Sequence, residues 1–129
     1  MARWLFKEEP ENYSFDRLVK DGKTLWNGIA NPVALKNLRQ VKAGDEIFFY
    51  HTGKEKAIVG VMRASADAVD GDEVSVQVEP IRQLDQPVTL SVVKADPDLK
   101  DWELARLPRL SIMPVTVNQW KRVLALSKA

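Results

Sequence analysis

The amino-acid sequence predicts a small α+β fold, a strongly bent mixed sheet or partial barrel with short helices packed outside it. About five runs rich in β-branched and aromatic residues occur along the chain, and helix-start signals separate several of them. With 129 residues, the chain has the length of one ordinary domain, because two domains would each have a marginal core. We therefore expect one domain over residues 1–129.

The first third of the chain predicts one strand and two capped helices. Residues 3–7 form a short aromatic run that a proline closes, which is typical of a strand. Ser14 has the properties of an N-cap for a short helix that ends before Gly22. Asn31 is expected to cap a second helix, which ends near residue 40, because the proline after it fits the first helical position.

The middle of the chain predicts three strands. Residues 46–52 and 56–65 are apolar runs, and Gly53 between them favours a hairpin. Apolar and polar residues alternate over residues 74–78, which indicates a strand with one buried face. Pro80 is expected to bend this strand or to mark a sheet edge, because proline has no N–H group for the ladder.

The last part of the chain predicts short helices, a strand and a final helix. The helices are expected within residues 88–104 and the strand at residues 111–115. Thr116 and Gln119 have the spacing of a capping box, which marks the start of the C-terminal helix.

The composition excludes several classes of chemistry. The absence of Cys excludes disulfides, thiolate catalysis and Cys-ligated zinc, and a single His excludes a multi-His metal site. No apolar run approaches the roughly 20 residues that a membrane helix needs. We therefore expect a cytoplasmic protein with no metal and no cofactor.

The charges are segregated along the chain, although the formal net charge is only +1. Residues 31–63 carry a net charge of +3, residues 64–104 of −7 and residues 105–129 of +5. The two basic segments could form one positive face for a partner, or all three could be ordinary solvated surface.

No group of residues indicates catalysis. The sequence contains no nucleophile elbow, no glycine-rich phosphate loop and no carboxylate pair with a distinctive spacing. We therefore expect a protein that is not an enzyme.

Aromatic and polar residues are instead grouped where predicted elements end. A planar ligand such as a nucleobase needs aromatic faces for stacking and polar groups for its edge. Each group also has a structural interpretation: Trp26 as core, Tyr50 as a strand residue, His51 as a hairpin residue with satisfied nitrogens and Arg109 as an ion-pair partner. The groups are Trp26-Asn27-Gly28, Tyr50-His51-Thr52 and Arg109-Leu110-Ser111.

Several short motifs, in order and over almost the whole chain, resemble those of the EVE domain family. They are Trp4-Leu5-Phe6-Lys7-Glu8-Glu9-Pro10, Tyr13-Ser14, Trp26-Asn27-Gly28-Ile29 with Asn31, Asn37-Leu38-Arg39, Gly44-Asp45, Phe49-Tyr50-His51-Thr52, Ala57-Ile58-Val59-Gly60 and Arg109-Leu110-Ser111-Ile112-Met113-Pro114-Val115.

The resemblance implies a PUA-like fold, a small bent β-barrel of about five to six strands with peripheral short helices. It also implies a module that binds DNA or RNA and reads a modified base, for example a methylated or hydroxymethylated one, flipped into an aromatic pocket. The alternative is a pocket for a free nucleoside or another planar ligand, without polynucleotide.

Carried over by position, the resemblance implies a pocket with Trp26 as its stacking wall. This chain has Ala30 where the family pattern leads us to expect Arg, and Leu107-Pro108 where it leads us to expect a polar pair such as Gln-Ser. The expected binding residues are Lys7, Glu8, Trp26, Asn31, Tyr50, His51, Thr52, Arg109 and Ser111. The expected phosphate contacts are Lys36, Arg39, Lys54, Lys56 and Arg106.

Overall fold

A curled mixed sheet of seven strands forms the centre of the protein in a computed structural model that describes residues 1–128. The strand order is β2-β6-β4-β3-β1-β7, with β5 paired to β6. The strands are β1 (Arg3–Glu8), β2 (Thr24–Trp26), β3 (Glu46–His51), β4 (Ala57–Ala64), β5 (Val69–Asp70), β6 (Val74–Thr89) and β7 (Ile112–Pro114). The helices are α1 (Phe15–Asp21), α2 (Pro32–Leu38), α3 (Leu90–Ala95), α4 (Glu103–Arg106) and α5 (Val117–Ser127). This architecture confirms the predicted fold class, with more strands than expected.

The parallel pair β1 and β3 divides the molecule into an inner face and an outer face. Successive side chains of a strand point to opposite sides of a sheet. On the inner face, Phe6 and Phe49 each lie 5.3 Å, centroid to centroid, from the indole of Trp26. On the outer face, Phe48 stacks on Trp120 of α5 with 3.8 Å between ring centroids. Both faces of this strand pair are therefore packed.

Asp45 fastens the start of β3 to the start of β1. Its carboxylate is buried, and Oδ2 accepts the indole N–H of Trp4 at 3.0 Å and the backbone N–H of Lys42 at 2.9 Å. Oδ1 accepts the backbone N–H of Ala2 at 3.1 Å. These hydrogen bonds satisfy a buried charge, which would otherwise be strongly unfavourable.

The predicted helix starts are confirmed. Ser14 accepts a hydrogen bond from an amide of the first turn of α1, and Gly22 ends that helix with a φ of 81°. Asn31 accepts two amides of α2. Thr116 and Gln119 form both hydrogen bonds of a capping box on α5. Local capping chemistry was therefore sufficient to locate these helices.

The strand β6 is longer than expected because it continues through Pro80. Pro80 lies opposite Met62 of β4, where the register of the β4–β6 pair shifts. On its other side β6 pairs with β2 only over Val76–Val78, so Pro80 is a local edge position. The missing N–H group of Pro80 therefore interrupts neither pairing.

Three arginines of the basic segments form ion pairs with the acidic segment. Each pair joins an arginine of a basic segment to a carboxylate of the acidic segment, so the three arginines do not contribute to one unpaired positive face. The pairs are Arg39 with Asp70, Arg63 with Glu79 and Arg122 with Asp96.

Within residues 1–128, no helix has the length and apolar character that crossing a membrane would require.

Gly60 of β4 allows α1 to approach the sheet closely. A Cβ atom at this position would lie 2.5 Å from the ring of Phe15, whereas one at Gly71 would meet open space. We expect Gly60→Ala to lower the free energy of unfolding by about 1–3 kcal/mol, because the ring must shift within a packed core. Chemical denaturation measures this, with Gly71→Ala as the matched control. Equal stability of the two variants would contradict the packing described.

The ion pair between Arg122 and Asp96 makes stability depend on pH. The hydrogen bonds from Arg122 to the Asp96 carboxylate hold the pKa of that carboxyl below its usual value. The ion pair therefore stabilises the fold fully above the pKa of Asp in the unfolded chain, about 3.9. This stabilisation is lost as pH falls through the lower pKa that Asp96 has in the folded protein.

Asp96→Asn should therefore be less stable than the wild type at pH 7, and the difference should shrink as pH falls below about 4. Urea denaturation across this pH range measures the effect. The exposed Asp72 provides the control, because Asp72→Asn should leave the pH profile unchanged. A constant difference between Asp96→Asn and the wild type at every pH would contradict the role of this ion pair.

Candidate functional site

The residues expected to line one pocket are divided among three cavities in the structure. The expectation of a single pocket is corrected accordingly. Alternation along paired strands is the reason: Lys7 and Tyr50 are register partners on the outer face, while Glu8 and His51 are partners on the inner face. The first cavity contains Glu8 and Trp26, the second Asn31 and Arg109, and the third Lys7, Tyr50 and Thr52.

The first cavity, which we call the Trp26 cavity, lies at the end of β1 and along β2. It has a volume of about 190 Å³. It combines the indole of Trp26 with hydrogen-bond acceptors and donors from residues 8–13 and 24–27. Its lining residues are Glu8, Tyr13, Thr24, Leu25, Trp26 and Asn27.

Trp26 belongs to the core and to the cavity wall at once. It is only 5% exposed, and the rings of Phe6 and Phe49 hold it from two sides. Both of these rings are fully buried. The indole is therefore fixed in orientation before any ligand arrives, so little conformational entropy would be lost on binding.

The polar groups of the Trp26 cavity are positioned by neighbouring backbone and charges. Glu8 accepts the backbone N–H of Glu9 through Oε1 at 2.9 Å, and within residues 1–128 its Oε2 makes no hydrogen bond. Tyr13 donates its hydroxyl to Asp21 at 2.9 Å. Burial raises the pKa of Tyr13, so this phenol stays neutral and remains a hydrogen-bond donor at pH 7.

Gly28 turns the chain as it leaves β2 and so places Asn27 at the cavity rim. Gly28 has a φ of 75°, a conformation that favours glycine, and its N–H donates to Glu73 Oε1 at 2.9 Å. Asn27 is exposed and lines the cavity.

His51 lines none of the three cavities, contrary to expectation, because both of its ring nitrogens have protein partners. Nε2 accepts the backbone N–H of Phe15 at 3.0 Å, which assigns the ring proton to Nδ1, 2.7 Å from Glu55 Oε1. The residue is buried. His51 therefore anchors the start of α1 to β3, which is the structural role left open by the sequence.

The second cavity, of about 370 Å³, is mainly apolar. It lies between the start of α2 and the loop that precedes β7, and its lining residues are Asn31, Val33, Leu107, Pro108, Arg109 and Leu110. The side-chain oxygen of Asn31 caps α2, accepting the amides of Val33 and Ala34 at 2.9 and 3.1 Å. Within residues 1–128, its amide nitrogen makes no hydrogen bond, and Arg109 is the other polar side chain of this cavity.

The third cavity, which we call the lysine cavity, lies on the outer face and has a volume of about 220 Å³. Lys7 Nζ donates to the carbonyl of Pro108 at 3.2 Å and lies 5.5 Å from the centroid of the Tyr50 ring. Burial lowers the pKa of Lys7 and raises the pKa of Tyr50 to about 12. The lining residues are Lys7, Tyr50, Thr52, Gly53, Lys56, Leu90, Lys94, Leu104 and Pro108.

The remaining expected residues have varied surroundings. Ser111 accepts the backbone N–H of Lys7 through its carbonyl at 2.9 Å, so its backbone helps to hold β1. Arg39 is paired with Asp70, and Arg106 donates through Nε to the carbonyl of Asp101 at 2.6 Å. The exposed lysines among the expected phosphate contacts are Lys36, Lys54 and Lys56. Their contacts with phosphate stay predictions.

Four polar residues that line these cavities were not among the expected site residues. Tyr13 and Asn27 lie inside quoted motifs, so their positions next to Glu8 and Trp26 carried a signal. Thr24 and Lys94 carried none, because only the sheet and the packing of α3 bring them to their cavities. Among residues 1–128, no cluster of three His, Asp or Glu side chains could hold a metal ion.

Known proteins resemble this chain over almost its whole length. The family model of the EVE domain matches residues 2–126. Thymocyte nuclear protein 1 of Danio rerio is 30% identical, over 97% of this chain and 71% of that protein. The solution structure of Rpa0253 from Rhodopseudomonas palustris has a TM-score of 0.93 at 35% identity, covering 99% of this chain and 94% of that one.

A structure of human THYN1 in complex with 5-methylcytosine-containing DNA has a TM-score of 0.92 to this chain, at 27% identity. The match covers 100% of this chain and 99% of the human one. The curled sheet and its peripheral helices are therefore common to these proteins.

Proposed function

The chain belongs to the EVE domain family, and on that premise we propose that it binds nucleic acid and receives one modified nucleobase in the Trp26 cavity. The observation that carries this proposal is the composition of that cavity. A rigid indole lies beside a carboxylate, an amide and a hydroxyl, which together match the face and the edge of a heterocycle.

The size of the Trp26 cavity favours a single base. Pockets for drug-sized ligands measure about 300–1,000 Å³, whereas this cavity measures about 190 Å³. Stacking on one aromatic side chain contributes roughly 1–3 kcal/mol per base, while flipping a base out of a duplex costs a few kcal/mol. The free energy gained by stacking therefore roughly offsets the cost of flipping the base. Hydrogen bonds to the base edge must supply the selectivity.

Glu8 is the group best placed to read an amino-bearing base. A carboxylate accepts a hydrogen bond from the exocyclic amino group of cytosine, and Glu8 Oε2 is unoccupied by protein donors within residues 1–128. Leu25 lies next to Trp26 and presents an apolar surface, which suits a methyl group on the ring. The complex of human THYN1 with 5-methylcytosine-containing DNA supports the same ligand class for this chain.

We expect a 5-methylcytosine oligonucleotide to bind more tightly than its unmodified counterpart. Fluorescence anisotropy measures this with one sequence carrying cytosine, 5-methylcytosine, 5-hydroxymethylcytosine or methyladenine, single- and double-stranded. Glu8→Gln should weaken binding of the preferred oligonucleotide by about tenfold, because the acceptor of the hydrogen bond to the base loses its charge. Glu11→Gln, at an exposed position outside the cavity, is the matched control.

Two results would contradict the proposal. One is equal affinity for every oligonucleotide, and the other is an equal loss of oligonucleotide affinity in Glu8→Gln and Glu11→Gln. Mass analysis of the recovered oligonucleotide checks in the same experiment that the protein binds the base without altering it. An unchanged mass is expected.

Free nucleosides are the second candidate ligand, and the pairing of arginines favours them. Arg39, Arg63 and Arg122 are each engaged by a carboxylate, which leaves fewer cations for a phosphate backbone. If nucleosides are the ligand, calorimetry should show 5-methylcytidine binding as tightly as the oligonucleotide that contains it. A nucleoside that binds much more weakly than the oligonucleotide would exclude this alternative.

A further inference from the structure

We propose that the lysine cavity is a second binding site, independent of the Trp26 cavity, and that it takes a phosphate group. Three lysines from distant segments converge on it: Lys7 from β1, Lys56 from the loop before β4 and Lys94 from α3. No carboxylate lines this cavity, and Glu55 lines the adjoining cavity that shares Lys56 and Lys94. Among residues 1–128, none of the three lysines forms an ion pair.

The floor of the lysine cavity strengthens the attraction for an anion. Tyr50 and Leu104 are buried, and Leu90 is half-buried. Such apolar groups exclude water and lower the local dielectric constant, so a charge contact there is stronger than one in open solvent. Glu9 is the carboxylate next to this cavity: its Oε2 accepts the hydroxyl of Thr52 at 3.1 Å, and its Oε1 packs against Gly53. Glu9 itself does not line the cavity.

The buried part of this site already favours an anion. Lys7 is half-buried, and its ammonium donates one hydrogen bond, to the carbonyl of Pro108. Burial lowers the pKa of Lys7 because a charged ammonium loses hydration there. A bound anion would compensate for that loss.

The donor set indicates phosphate rather than a carboxylate ligand. Planar carboxylates are best matched by the fork of an arginine, and no arginine lines this cavity. Lysine ammoniums act as point charges, which suit the several oxygens of a tetrahedral phosphate. The phosphate could come from a nucleic-acid backbone or from a free nucleotide.

The backbone at Lys56 is consistent with a functional position. Lys56 is the one non-glycine residue in 1–128 with a positive φ, at 46°, a conformation that is unfavourable for a lysine. Its carbonyl accepts the N–H of Leu90 at 2.8 Å, which holds the loop against α3. Strain of this kind concentrates at functional sites.

Isothermal titration with inorganic phosphate, compared with chloride at equal ionic strength, tests the site. Lys94→Gln should weaken phosphate binding by about fivefold or more, because one close charge contact is lost. Lys100→Gln, at an exposed position outside the cavity, is the matched control and should not change it.

Lys56→Gly separates binding from folding. Glycine relieves the strained φ, so this variant should melt about 2–4 °C above the wild type while phosphate binds about fivefold or more weakly. Phosphate that binds no better than chloride would overturn the proposal. An equal loss of phosphate affinity in Lys100→Gln and Lys94→Gln would also overturn it.

Two further arms identify the source of the phosphate. A 5′-mononucleotide that binds more tightly than its nucleoside, with the difference lost in Lys94→Gln, identifies a free nucleotide. For a single-stranded oligonucleotide, the slope of log affinity against log salt concentration is measured in the wild type and in Lys94→Gln. A slope that is smaller in magnitude by about 0.7 in the variant identifies the nucleic-acid backbone as the source. If neither effect occurs, the phosphate assignment is wrong.

The variant Glu8→Gln keeps the two proposals distinguishable. It should lose base selectivity in the Trp26 cavity and retain the wild-type affinity for inorganic phosphate. Phosphate binding without base selectivity in the wild type would contradict the proposed function alone.

Discussion

The parallel pairing of β1 with β3 is the constraint on which the arrangement of the sites depends. It aligns Lys7 with Tyr50 and Glu8 with His51, and strand alternation then sends the first pair to the outer face and the second to the inner face. Residues adjacent in one motif thus serve different surfaces. Parallel strands have no hairpin to set their register. The hydrogen bonds from Ala2 and Trp4 to the buried carboxylate of Asp45 are therefore a main local restraint on the register of β1 and β3.

The same strand pair explains how a core residue can also be a ligand wall. Trp26 comes from the far edge of the sheet, yet curling of the sheet brings its ring against Phe6 and Phe49. A rigid aromatic wall requires such backing, because a mobile side chain would lose entropy on stacking. Fold stability and base recognition are therefore expected to be coupled at the buried Trp26 and separable at Glu8, which is only half-buried.

Local chemistry made much of the fold predictable, and long-range pairing made the rest unpredictable. The helix starts at Ser14, Asn31 and Thr116 depend on neighbours within four residues, and the structure confirms them. By contrast, β2 is three residues long and exists because β6 pairs with it. The family motifs identified residues of the cavities but could not separate them, since their division follows from the register of paired strands. Lys94 had no signal, because the packing of α3 places it.

The indole N–H resonances of the four tryptophans test most directly whether a base enters the Trp26 cavity. In a ¹H–¹⁵N spectrum recorded during titration with a 5-methylcytosine oligonucleotide, the Trp26 signal should move as the complex forms. The Trp120 signal should stay, because that ring stacks on Phe48 at the outer face. A Trp26 signal that remains unmoved at saturation, while other resonances report binding, would show that the base is bound elsewhere.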